Sequence, residues 1–137
     1  MKYILDASVA LKWVLPEQDS EKALTIQDDF SKQIIELLAP DLFPLEVAHA
    51  LAKAERRLII APPLGAQYLT DILQNCPQLE PSLALLPRAF EIASKARIGV
   101  YDCLYVALAE RENVPLITAD QQLLTLKGFA MKDLSSF

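Results

Sequence analysis

The sequence predicts an α/β domain built on a mostly parallel sheet. Three observations predict it. Short apolar runs of strand character alternate along the chain with segments of helical composition, the pattern of successive β–α units. Two of these runs, Tyr3-Ile4-Leu5 and Val114-Pro115-Leu116-Ile117-Thr118, are apolar without alternation, as strands covered on both faces are. The segment Asp102 to Arg111, DCLYVALAER, is apolar nearly all round, which marks a helix buried against such a sheet. A length of 137 residues predicts a single domain over residues 1–137, with enough chain to bury a core.

The elements follow in order. Tyr3 to Leu5 is the first strand and ends at Asp6. Ala7 to Val14 is a helical turn or short helix stopped before Pro16, and Asp19 to Lys32 has helical composition with Leu24, Ile26 and Phe30 apolar. Leu37 to Ala39 is a second strand, closed by Pro40. Asp41 to Arg57 is a strong helix: Leu42, Leu45, Ala48, Leu51 and Ala52 recur at three- and four-residue spacings, and Arg56 and Arg57 sit in the last turn, where cations suit the helix dipole. Pro62-Pro63 opens another helix running to about Cys76, prolines being tolerated at a helix start. Leu79 to Ser82 reads as a short strand and Leu85 to Ala96 as a helix. After the buried helix and the Val114–Thr118 strand, Gln121 to Leu126 is a short helix and Phe129 to Met131 a final edge strand.

Composition excludes several chemistries. Three glycines leave no G-x-G-x-x-G or G-x-x-x-x-G-K-[ST] phosphate loop. One histidine, and two cysteines without a C-x-x-C, exclude a zinc ribbon or a HExxH site. Cys76 and Cys103 read as reduced thiols filling the core. No run approaches the ~18 apolar residues of a membrane span, and Asp6 interrupts the N-terminal apolar stretch before a signal sequence can form. A cytoplasmic protein is expected. The 18 acids and net charge of −5 offer no general attraction for nucleic acid, so such a partner requires local basic patches or metal ions.

The acids themselves fall at telling places. In open parallel sheets, ligands bind beyond the carboxyl ends of the strands. Asp6 follows the first strand and Asp120 the late one. Asp102 opens the buried helix, and Glu46 lies in PLEVAHAL among apolar neighbours. Each alone has an ordinary reading: Asp102 as an N-cap, Asp120 as a turn or cap residue, Asp6 as a turn residue, Glu46 at the edge of an amphipathic helix. If the four converge, each pair ~5 Å apart repels by ~3 kcal/mol at an effective dielectric near 20, and a cation is needed to hold them. Hard oxygen ligands select Mg²⁺ or Mn²⁺, which suit hydrolysis of a phosphodiester.

The stretches ILDASVALKWVLPE, PLEVAHAL, YDCLYVALAE and LITAD, in this order and spacing, resemble the PIN-domain family and within it the VapC-type ribonuclease toxins. The resemblance covers essentially the whole chain. It implies a three-layer α/β/α sandwich with a central parallel sheet and a Mg²⁺- or Mn²⁺-dependent endoribonuclease acting on RNA. The family acids carry over onto Asp6, Glu46, Asp102 and Asp120. Asp6, Asp102 and Asp120 are then expected to hold metal, directly or through water, with Glu46 completing the pocket and orienting the attacking water. Thr118 and Ser8 match supporting hydroxyl positions. A cognate antitoxin and a homodimer are implied as partners. His49 and Cys103 depart from residues frequent in relatives without removing a ligand.

Three further groups of residues invite a role. Trp13 and Tyr105 can stack on bases, but their apolar surroundings predict core packing. Lys53, Arg56 and Arg57 follow Glu46 on one helix and are candidate phosphate contacts, although such runs are usually a solvated face. Glu17 is peripheral. The competing class is a non-catalytic module that binds RNA or protein on the same fold. A haloacid-dehalogenase-like phosphatase requires an acid where Ser8 stands, and a receiver domain requires an acid pair and a late Lys-Pro that this chain lacks.

Overall fold

The structure, a computed structural model, describes residues 1–137. Five strands, β1 (Lys2–Leu5), β2 (Glu36–Pro40), β3 (Gln78–Glu80), β4 (Leu116–Thr118) and β5 (Met131–Asp133), form one sheet in the order β3-β2-β1-β4-β5. Every neighbouring pair is parallel, with Tyr3 opposite Leu37, Leu5 opposite Ile117, and Leu116 opposite Met131. Seven helices connect them: α1 (Ala7–Leu11), α2 (Ser20–Ser31), α3 (Phe43–Arg56), α4 (Leu64–Leu73), α5 (Leu86–Ala96), α6 (Val100–Glu112) and α7 (Gln121–Leu124).

The chain steps outward from β1 to β2 and β3, then returns across to β4 on the other side of β1. Parallel crossovers are right-handed, so the reversal puts α1 to α4 on one face and α5 to α7 on the other. This is the expected sandwich of three layers. Its core is the doubly covered sheet centre: Ile4, Leu5, Leu116 and Ile117 are fully buried. Against it lies α6, whose residues Cys103 to Ala109 are all buried. Trp13 is core, and its Nε1 donates to the Ala23 carbonyl at 2.9 Å, joining α2 to the segment after α1. No helix is long and apolar enough to cross a membrane.

The boundaries differ from the sequence expectation in instructive places. The helix expected over Ala7–Val14 ends at Leu11. Lys12, Trp13 and Val14 continue only as tighter turns, bonded to the carbonyls of Val9, Ala10 and Leu11. The late strand omits Val114 and Pro115, since Pro115 has no N–H for the ladder and contributes only its carbonyl, which accepts from Ile4 at 3.0 Å. The last strand lies two residues beyond the expected Phe129–Met131. Gly128 turns the chain at φ 89, and Lys132 and Asp133 continue the strand because pairing with β4, not side-chain polarity, defines it. The buried helix starts at Val100, two residues before Asp102.

Candidate active site

The point where the crossovers diverge lies between β1 and β4, and it brings the carboxyl ends of these two strands side by side. In such sheets this is where ligands bind. Asp6 leaves β1 still bonded to its neighbour, its N–H donating to the Ile117 carbonyl at 3.1 Å. The residue is 5% exposed, a depth at which a carboxylate requires hydrogen-bond donors. It has them: Oδ2 accepts from Ser8 Oγ at 2.8 Å and from Thr118 Oγ1 at 2.7 Å. Fully buried Thr118 accepts in turn from the Asp120 N–H at 2.9 Å. One hydroxyl thus ties the first strand's acid to the backbone of the last acid.

Asp120 is the N-cap of α7, with Oδ1 accepting from the Gln122 N–H at 2.8 Å. The capping interpretation therefore holds for this residue. It fails for Asp102. The N-cap of α6 is Gly99; Asp102 stands in the first turn, and no hydrogen bond to its carboxylate forms. Glu46 occupies the first turn of α3, half-buried, and its Oε1 accepts from the Tyr105 hydroxyl at 2.7 Å.

A cleft of about 610 Å³ joins these groups. Asp6, Glu46, Asp102 and Asp120 all line it, with Ser8, Leu45, His49 and Tyr101 on its walls, and no lysine or arginine contributes. The sequence-predicted acids thus converge on one space, and Ser8 and Thr118 support them.

The electrostatics record that convergence. Burial, partly offset by the Thr118 and Ser8 hydroxyls and reinforced by Asp120, raises the Asp6 pKa. Glu46 is pushed up to about 7, first by burial, against which the Tyr105 hydroxyl acts, and further by Asp6 and Asp102. Asp102 rises to about 6 through burial and the charges of Asp6 and Asp120. The acids sense one another, yet no three His, Cys, Asp or Glu side chains stand close enough to grip an ion directly.

Tyr105 is the residue whose role the sequence left half-visible. Its ring is core, as expected, but its hydroxyl belongs to the site. A signal existed: Tyr105 lies three positions after Asp102, so both share a helix face, and a buried tyrosine hydroxyl requires a partner. His49, read as packed or on the surface, is exposed on the cleft wall.

Comparisons with known proteins bear on the same region. The PIN domain family matches residues 3–128. Ribonuclease VapC3 of Pyrobaculum aerophilum is 34% identical over 125 residues, covering 90% of this chain and 92% of that protein. Ribonuclease VapC9 of Mycobacterium tuberculosis is 33% identical over 124 residues, covering 88% and 87%. Among solved structures, PAE2754 from Pyrobaculum aerophilum aligns with TM-score 0.72 at 24% identity, over 99% of this chain and 94% of that one. VapBC2 from Rickettsia felis, bound to a DNA fragment from its promoter, aligns at 0.67 and 14% identity, over 96% and 98%. At these identities the solved structures speak for the fold.

Proposed function

The chain belongs to the PIN-domain family, and from that premise we propose that it is a divalent-metal-dependent endoribonuclease hydrolysing RNA phosphodiester bonds, the toxin of a toxin–antitoxin pair. One observation carries the reading. Four carboxylates, set at strand ends and in first helical turns, line a single cleft at the switch point, and three of them have raised proton affinity. A fold that gathers acids at such a cost in repulsion is suited to a cation.

The donor set fits a hard divalent ion, being all oxygen. Mg²⁺ keeps several of its waters, so carboxylates set apart from one another suit it when some reach it through water. Mg²⁺ or Mn²⁺, when bound, would polarise a phosphoryl oxygen and acidify water. Asp6, Asp102 and Asp120 would hold it. Asp6 is fixed by Ser8 and Thr118 and so sets the origin of the site. Glu46, anchored through Oε1, keeps its other oxygen to orient the attacking water. Asp102, free of hydrogen bonds, adapts to the ligand.

The proposal extends to a single domain over residues 1–137, in keeping with a family match over residues 3–128, and to a cognate antitoxin, in keeping with the likeness to VapBC structures; a cytoplasmic location and a homodimer belong to the same reading. The test is cleavage of an RNA panel by wild type and Asp102→Asn, with Mg²⁺ or Mn²⁺ and with chelator. Metal-dependent cuts that vanish in the variant are expected. Equally intact RNA in all arms overturns the enzymatic reading and leaves a binding module.

A further inference from the structure

We infer that the cleft-facing side of α3 continues beyond the acids as a phosphate track, in which Lys53, Arg56 and Arg57 hold the backbone of an RNA strand leaving the cleft. The inference rests on the ribonuclease reading and says where its substrate runs.

The helix geometry comes first. Successive α-helical residues turn by about 100°, so Lys53 and Arg57 each fall within about 20° of Glu46 around the axis. By the same rotation Arg56 falls between His49 and Leu45. Glu46, His49 and Leu45 all line the cleft. The three cations therefore extend the face that the cleft already uses. At 1.5 Å per residue they follow Glu46 by about 10 to 16 Å, a span of a few linked nucleotides. The side of α3 that packs on α4 is a different one, and Ala48, Leu51, Ala52 and Glu55 occupy it.

The pairing pattern comes second. Lys12, Lys22, Lys32, Arg88 and Arg111 each have a carboxylate within 4 Å. Lys53, Arg56 and Arg57 are exposed and have none; Lys2, Lys95, Arg97, Lys127 and Lys132 also lack one, but only Lys53, Arg56 and Arg57 follow a cleft acid along its own helix face. Yet an acid stands among them in the chain. Glu55 is turned away, its Oε2 accepting the Gly65 N–H at 2.8 Å at the start of α4. A Cβ at position 65 would lie 2.5 Å from that oxygen, so a larger residue there would make the Glu55 carboxylate shift. The acid that stands within the run is thus engaged elsewhere.

Electrostatic need comes third. The cleft presents carboxylates and no cation, and the whole chain carries −5. A polyanion approaching it requires positive charge nearby, and this run supplies it on the right face. Cations in a last helical turn also suit the helix dipole. The experiment must therefore read phosphate binding, not helix stability.

Fluorescence anisotropy with a labelled single-stranded RNA, in the Asp102→Asn background, measures affinity across a KCl series. The triple variant Lys53→Gln/Arg56→Gln/Arg57→Gln should weaken binding and flatten the plot of log K against log salt. The slope should fall by about 0.7 for each phosphate no longer neutralised, about 2 in all. Lys95→Gln/Arg97→Gln, on the far side of the sheet, serves as the control and should leave the slope unchanged. Circular dichroism melts confirm that both variants fold. An unchanged slope in the triple variant overturns the track, as does an equal fall in the control, which would mean net charge alone matters. If the run instead serves an acidic protein partner, the RNA slope stays unchanged. Cleavage by wild type is assayed separately: a slope that falls without any metal-dependent cutting keeps the track and removes the nuclease.

Discussion

The Tyr105 hydroxyl donates a 2.7 Å hydrogen bond to Oε1 of Glu46, across 59 residues of sequence and between helices on opposite faces of the sheet. The bond favours the charged carboxylate, against burial that pushes Glu46 up to about 7. Tyr105→Phe keeps the ring and removes only the donor. The Glu46 pKa should rise above its present value, read by carboxyl NMR titration of the metal-free protein. Stability should fall by about 1–3 kcal/mol, the usual loss when a partly buried charged group loses its partner. In cleavage assays kcat should fall more than KM changes. An unmoved Glu46 titration would remove the tyrosine from the site.

The raised acids predict an unusual pH dependence for the metal-free protein. Glu46 at about 7 and Asp102 at about 6 hold protons in the folded chain that the unfolded chain, with values near 4.5 and 3.8, has already released. Between those limits the folded state binds more protons, so stability declines as pH rises from about 4 to about 7. Below that window the contribution is fully present. Urea melts across the range should show the midpoint falling. A midpoint that climbs through this window contradicts the raised values.

Divalent metal should reverse that decline. On the proposed reading Mg²⁺ or Mn²⁺ would bind the ionised acids, so the rise in melting temperature on adding either should be larger at pH 8 than at pH 5. At 100 times the dissociation constant the stabilisation is about 2.7 kcal/mol. Thermal shift with Mg²⁺, Mn²⁺ and a KCl control at matched ionic strength decides the matter. Equal shifts in all three would mean simple screening.

Asp102 separates stability from function. Its carboxylate accepts no hydrogen bond, and the charges of Asp6 and Asp120 oppose its own. Asp102→Asn should therefore raise the melting temperature of the metal-free protein at pH 8. RNA cleavage should fall by more than about 100-fold, beyond the loss seen when only a ligand's supporting partner is removed. A variant that loses activity and stability together would argue that Asp102 is structural.

Thr118 tests the support beneath the acids. Its hydroxyl donates to Asp6 and accepts from the Asp120 N–H in a fully buried position. Thr118→Val has the same shape without either bond. A loss of about 1–3 kcal/mol is expected, with activity down about 10- to 100-fold. Thr118→Ser should recover most of the activity. A serine variant as poor as valine would point to packing of the methyl group.

Much of this protein is a local property of its sequence. Tyr3–Leu5 and Leu116–Thr118 are strands because both faces are apolar, and α6 is buried because DCLYVALAER has no polar side. Asp6 and Asp120 stand at the site because they lie just beyond the carboxyl ends of those strands, and strand ends are fixed by the same runs. Where backbone pairing outranked side-chain pattern, as at Lys132 and Asp133, local reading stopped short.

The tertiary structure alone decided the relationships across the sheet. Whether Asp102 or Gly99 caps α6 depended on where packing starts the helix, two residues before the acid. The partner of the Tyr105 hydroxyl lay 59 positions away, beyond any spacing rule. The basic run on α3 acquired meaning only when packing turned one side of that helix to the cleft and drew Glu55 towards α4. Periodicity and apolar content act within a few residues and survive in the sequence. Convergence of charge depends on the rotation and contact of whole elements, and those arise only when the core closes.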